Sequence, residues 1–370
     1  MNARRFPVPV ILSLVLVLAS PALPACAGGA AEASLAMPVR GVWMHPGFFG
    51  PDKDAAVAKI RTTLDAYARA GIDTLIMLVK DTSGHVFFRS EKAVPAPAWN
   101  WDFLEVFLAE ARLRKMTVHA WFCVFPESGL LGEVRRHPEW LVRSPRGEMV
   151  GAVNPALPDV RAYERDLMLE AVAKYGLDWV HLDYIRYPCE PTEPFFGFDP
   201  ETLRLFKEDT GIDMAAVKAR DTGNPAWNVW LRWNTERVTV FVRELREALR
   251  ATGRRVKISA AVFPDAANAR VAIGQDWAAW GREGLVDMLN PMLYTNDVKL
   301  YEALAREAVS FAKRGTLVCP GIGIGTSHNQ NTPEGMIEEM KVTKRLGGDG
   351  VVFFSSSSLT APFLDALKKR

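Results

Sequence analysis

Eight short apolar runs recur along the chain, and most gaps between them carry the 3.6-residue periodicity of an amphipathic helix. The runs are RGVWMH (40–45), TLIMLV (74–79), TVHAWFCVF (117–125), WVHLDYI (179–185), KISAAVF (257–263), VDMLNPMLY (286–294), TLVCPGIGI (316–324) and GVVFFSS (350–356). The helical stretches include AAVAKIRTTLDAYARAG, WDFLEVFLAEARLRK, VWLRWNTERVTVFVRELREALRATG, LYEALAREAVSFAKRG and PEGMIEEMKVTKRLGG, the last with Thr332 as N-cap and Pro333 opening the helix. Strands this continuously apolar need cover on both faces. A helix after each strand supplies it, so the pattern predicts an α/β fold of the (β/α)8 TIM-barrel type. An open doubly wound sheet is the rival, but HPGFFGPDKD after the first run lacks the G-x-G-x-x-G turn such a sheet uses for phosphate.

No repeat and no Pro/Gly/Ser-rich linker divides the chain, so residues 38–370 read as one barrel domain. Residues 1–27 have the charged, apolar, small-residue order of a secretory signal peptide, with 28–37 as a short linker. Ala25-Cys26-Ala27 fits cleavage and free secretion. Leu23-Pro24-Ala25-Cys26 resembles a lipoprotein box that would leave a lipid on Cys26, the one link to a membrane the sequence offers. The expected location is therefore secreted, periplasmic or on the cell envelope. A net charge of +2, with no basic stripe, argues against a nucleic-acid partner. Cys123, Cys189 and Cys319 are widely spaced, and no His/Cys cluster has zinc spacing, so no cofactor and no metal are expected. The chain is expected to act as a monomer.

Barrel enzymes keep their chemistry at the C-terminal ends of the strands. Here those ends offer His45, Lys80 and Asp81, Glu127, then Asp183, Arg186 and Tyr187, then Asp265, and finally Tyr294 and Asp297. Trp43, Trp121, Trp277, Tyr187 and Tyr294 lie among the acids, and aromatic faces with paired carboxylates suit a carbohydrate. The long connections 126–157 and 188–226 leave the same ends and are expected to wall the site. Each residue also has a structural reading. Asp183 could neutralise Arg186, which could instead pair with Glu190 or with a substrate carboxylate. Asp297 and Asp276 directly precede helices and could cap them. His181 lies two residues before Asp183, where most histidines are core. Trp227, Trp230 and Trp233 have helical spacing and read as core.

The stretches RGVWMH, VHAWF, NPALPDVRAY, LDWVHLDYIRYP, QDWAAWGREGLVD and NPMLYTND together resemble the bacterial glycosyl-hydrolase-like ten family over residues 39–358. The resemblance implies an extracytoplasmic barrel glycosidase. Characterised members of that family include enzymes acting on peptidoglycan glycan strands stripped of their peptides. It transfers a catalytic role to Asp183, which at a strand end rimmed by aromatics is expected to be the nucleophile, or the base or electrostatic partner of the oxocarbenium-like transition state. Many relatives carry two adjacent acids at this point, whereas Tyr184 follows Asp183 here, so the second acid has no adjacent counterpart. Asp297 is the candidate proton donor. His45, Trp121, Glu127, Arg186, Tyr187, Asp265, Trp277 and Tyr294 are the candidate substrate-binding residues. The expected function is hydrolysis of an amino-sugar polymer, the alternatives being another exopolysaccharide or a glycan-binding barrel without catalysis.

Overall fold

The computed structural model describes residues 35–189, 197–219, 221–312 and 315–368. The signal-like segment with its two processing sites, and Glu190, lie outside the described residues. Leu35 is buried and accepts a hydrogen bond from the Arg40 guanidinium through its carbonyl, so packing begins within the stretch read as linker.

The strands are β1 (Val39–Met44), β2 (Thr74–Lys80), β3 (Thr117–Cys123), β4 (Leu141–Arg143), β5 (Met149–Val153), β6 (Trp179–Asp183), β7 (Lys257–Val262), β8 (Met288–Pro291), β9 (Leu317–Val318), β10 (Gly321–Gly323) and β11 (Gly350–Phe354). All eight predicted runs are strands. The hairpin β4–β5 lies apart, within the long connection after β3. The others form one sheet, in the order β10-β11-β1-β2-β3-β6-β7-β8-β9, whose pairs are all parallel. The two outer pieces, β9 and β10, are halves of one strand. Pro320 between them has no N–H to give the ladder. A parallel bridge from Met292 to Gly321, with Leu293 N donating to the Gly321 carbonyl (3.1 Å) and Val352 N to the Pro320 carbonyl (3.0 Å), closes the sheet. With β9 and β10 counted once, eight parallel strands make a closed (β/α)8 barrel.

Alternate residues point inward, as the two-residue period of a strand requires. Val39, Trp43, Ile76, Leu78, Trp121, Trp179, Ala261, Met288 and Val352 fill the interior. The other face of each strand packs under the helices. These are α1 (Lys53–Arg69), α2 (Phe103–Leu113), α3 (Gly132–Arg136), α4 (Pro158–Tyr175), α5 (Pro200–Thr210), α6 (Pro225–Ala251), α7 (Ala266–Ile273), α8 (Trp277–Glu283), α9 (Val298–Ser310), α10 (Pro333–Arg345) and α11 (Ala361–Lys368). Thr332 caps α10 by accepting from Gly335 N, and Pro333 opens it. Trp227, Trp230 and Trp233 pack with Phe206 and Met214 in a satellite core beside the barrel.

Candidate active site

A β-bulge sets the geometry of the site. On β2 the register advances from Leu78, opposite Trp121, to Lys80, opposite Phe122, so two residues of β2 span one of β3. Bulges of this kind re-aim side chains. Lys80 is turned to the helix side, and the next residue, Asp81, comes level with Cys123, which is itself paired with Asp183. Asp81 and Asp183 both line a cleft of about 930 Å³ at the C-terminal mouth of the barrel.

Lys80 is wholly buried. Its ammonium donates to the Cys123 and Val124 carbonyls (3.0 and 2.8 Å) and to Glu164 Oε1 (3.0 Å), and it lies 2.8 Å from Glu127 Oε1. Burial alone would lower its pKa, but the two glutamates hold it above the usual lysine range. A charge buried this deeply is tolerable because it is fully paired. Burial, with Glu127 adding repulsion, pushes Glu164 up to about 8. A Cβ at Gly84, where φ is +91°, would meet Glu127 Oε2 at 1.9 Å, so this corner admits only glycine.

Asp183 is 6% exposed and sits where β6 ends. The next residue, Tyr184, has left-handed backbone (φ 51°), which folds its N–H back to donate to Asp183 Oδ1 (2.6 Å). Arg186 also donates to that oxygen, at 3.4 Å, from between the Tyr184 and Phe263 rings (4.3 and 4.8 Å from their centroids). The Trp121 indole N–H lies near the carboxylate without a well-formed hydrogen bond to it. Burial raises the Asp183 pKa, against the opposing pull of Arg186 and the Tyr184 N–H. Asp81 is held differently. Its Oδ1 accepts from Ser83 N (2.8 Å), Ser83 Oγ (2.6 Å) and His85 N (3.1 Å). Between the two carboxylates is the Cys123 thiol, pushed well above its usual pKa by burial, with Asp183 and Asp81 both adding to the shift.

The aromatic floor is fixed from beneath. Trp43 Nε1, which can only donate, gives its proton to His181 Nε2 (3.1 Å), so His181 carries its own proton on Nδ1 and donates to Ser259 Oγ (2.9 Å). Ser259 Oγ also bonds His119 Nδ1 (2.8 Å), and its hydroxyl has the Val180 carbonyl (3.4 Å) as a further acceptor. Burial holds both imidazoles neutral, His119 at about 3 and His181 well below its ordinary value. Gly321 leaves room for the floor: a Cβ there would lie 3.1 Å from the Trp43 ring and 3.2 Å from the Tyr294 ring. Tyr294 stacks on Phe354 (5.3 Å), and His45, kept neutral by burial, stands edge-on to Trp121 (4.8 Å). Acids in two environments, beside fixed aromatic faces and a cation, can bind a sugar ring and move protons at its linkage.

A family model, Glycosyl hydrolase-like 10, matches residues 38–338. The chain belongs to this family. Glycosyl hydrolase YngK of Bacillus subtilis (strain 168) is 22% identical over an alignment of 277 residues that covers 65% of this chain and 50% of that protein. An S-layer-related protein of Niallia circulans is 23% identical over an alignment of 238 residues that covers 52% of this chain and 14% of that protein. The chain thus spans half the length of one relative and a small part of the other. Among solved structures, the PgaB (BpsB) glycoside hydrolase domain from Bordetella bronchiseptica superposes with a TM-score of 0.71 at 14% identity, covering 89% of this chain and 98% of that one. At that identity the likeness shows the fold.

In this glycosyl hydrolase-like 10 barrel, Asp183, His45, Trp121, Arg186 and Tyr294 line the cleft. Five other candidates lie outside its lining. Asp297 and Asp265 are exposed N-caps: Asp297 accepts from Lys299 N and Leu300 N, and Asp265 from Asn268 N. Glu127 is buried beside Lys80 behind the cleft wall. Tyr187 is buried, with its hydroxyl donating to Asn234 Oδ1 (2.8 Å) and Asn154 Oδ1 lying farther off at 3.3 Å. Trp277 is buried edge-on against Phe311, while Asp276 caps α8. The cleft is also lined by Trp43, by Tyr184 and Phe354, which the sequence pattern does not single out, and above all by Asp81, which that pattern displays at a strand end without a role. Among the described residues no group of three or more His, Cys, Asp or Glu could hold a metal ion, and no helix is long and apolar enough to cross a membrane.

Proposed function

We propose that this protein is an extracytoplasmic glycoside hydrolase that cuts an amino-sugar polymer, peptidoglycan-derived glycan strands freed of peptide, at the Asp183 cleft. The observation that carries the reading is Asp183 itself: a buried carboxyl at a barrel strand end, opening on a cleft with aromatic walls. Its raised pKa suits it to keep a proton and deliver it to the departing glycosidic oxygen. Tyr294 and Phe354, partly exposed in the cleft, offer faces for sugar C–H surfaces. Arg186, whose hydrogen bond to Asp183 is long at 3.4 Å, is placed to meet a substrate carboxylate such as a lactyl acid laid bare when peptide is removed. Membership of a glycosyl hydrolase-like family supports hydrolysis, and the S-layer-related relative supports an envelope setting. The test is digestion of purified glycan strands, with and without stem peptides, by the wild-type protein and by Asp183→Asn, followed by mass analysis. Cleavage of peptide-free strands that Asp183→Asn lacks is the expected outcome. Equal cleavage by the two proteins contradicts the assignment.

A further inference from the structure

Resting on that hydrolase reading, we propose that Asp81 is the second catalytic carboxylate, the base that activates water, and that the reaction inverts the anomeric centre. Asp81 and Asp183 are the two carboxylates among the described residues that line the cleft. The β2 bulge brings them level across β3, with Cys123 between. Two strand spacings of about 4.8 Å put their backbones roughly 9 to 10 Å apart. Inward-pointing side chains converge from that distance, and Cys123, which is paired with Asp183 and lines the same cleft, stands on the strand between them. A separation that admits a sulfur atom is nearer the roughly 6.5 to 9.5 Å of inverting glycosidases than the about 5 to 5.5 Å of retaining ones.

The two environments divide the labour. Asp183 is buried, and burial favours its acid form. Asp81 is half-buried and lines the cleft; its Oδ1 accepts three hydrogen bonds, while Oδ2 has no hydrogen-bond partner among the described residues. In the step, the Asp183 proton passes to the glycosidic oxygen as the bond from that oxygen to the anomeric carbon breaks. A water held at Asp81 Oδ2 attacks the opposite face of that carbon and gives its proton to Asp81. Exchange with solvent then returns a proton to Asp183 and removes one from Asp81.

The experiment follows the anomeric protons of the first-formed product by NMR, using the wild-type protein and a glycan it cleaves. Asp81→Asn is then assayed on the same glycan with and without azide. The asparagine keeps Oδ1 as an acceptor for Ser83 and His85, so the turn is preserved. The expected results are a product of inverted configuration, at least a hundredfold loss in Asp81→Asn, and partial recovery with azide as a glycosyl azide of inverted configuration. A product of retained configuration, or an Asp81→Asn protein within tenfold of wild type, overturns the role of Asp81 and leaves the hydrolase reading standing. The wild-type stereochemistry decides even if the variant does not fold. Absence of cleavage of any glycan by the wild-type protein counts instead against the hydrolase reading.

Discussion

Arg186 works against the protonation of the acid beside it. Burial raises the Asp183 pKa and the guanidinium lowers it, so removing the cation lets the carboxyl hold its proton to higher pH. For Arg186→Gln, the alkaline fall in kcat/KM moves upward by about one pH unit, while KM rises for a substrate that carries a carboxylate. A pH profile checks this, and a limb that stays in place or moves down contradicts it. Asp183 was legible in the sequence because an apolar run that ends in an acid at a barrel strand end has few structural uses. Asp297 and Asp265 are exposed and outside the cleft lining; a short acid before a helix is also the signature of an N-cap, and capping takes one oxygen of each. Tyr187 misled because the left-handed turn at Tyr184 ends the strand, and with it the alternation that tells inward from outward. Asp81 was visible at its strand end, but its direction depends on a bulge that residue types alone do not reveal.

The elements themselves are legible in the sequence, since strand runs, caps and helical periodicity are local properties. Where the outcome differed, the cause was tertiary: β9 and β10 are one predicted strand parted at Pro320, each half paired to a different neighbour. Inside the barrel, β1, β6, β7 and β3 are tied by the chain from Trp43 through His181 and Ser259 to His119. Spacing placed His181 on the face of Asp183, but nothing in the sequence announced its partners on other strands. Ser259→Ala leaves two buried imidazole nitrogens without their hydroxyl, at a cost of about 1–3 kcal/mol, and frees the Trp43 ring to turn. Denaturant unfolding is expected to show that loss, and steady-state kinetics a higher KM with kcat less affected. Unchanged stability and KM would show that the chain does not hold the floor.

For the molecule as a whole, buried acids outside the cleft set how stability follows pH. Glu339 of α10 is 1% exposed, and its carboxylate accepts one hydrogen bond from Asn331 Nδ2 (2.9 Å). Burial pushes it up to about 8, against a small opposing effect of Asn331. The folded state therefore holds a proton that the unfolded chain releases near pH 4.5. This contribution is complete below that pH and is lost as pH rises toward 8. A tenfold difference in proton affinity is worth about 1.4 kcal/mol, so the advantage of wild type over Glu339→Gln should shrink by more than that between pH 5 and 8. Denaturation series at the two pH values check it, and a constant or growing difference contradicts it. The barrel as a whole was predictable because it follows from eight covered strands, whereas the pairing of its two acids depends on register between distant segments. The most direct test of the central claim compares wild-type protein with Asp183→Asn on peptide-free glycan strands, measuring fragments released and glycan bound. The account predicts that Asn at 183 lowers cleavage by at least a hundredfold while binding persists, because it keeps the shape and removes the proton. Cleavage by Asp183→Asn at the wild-type rate would contradict it.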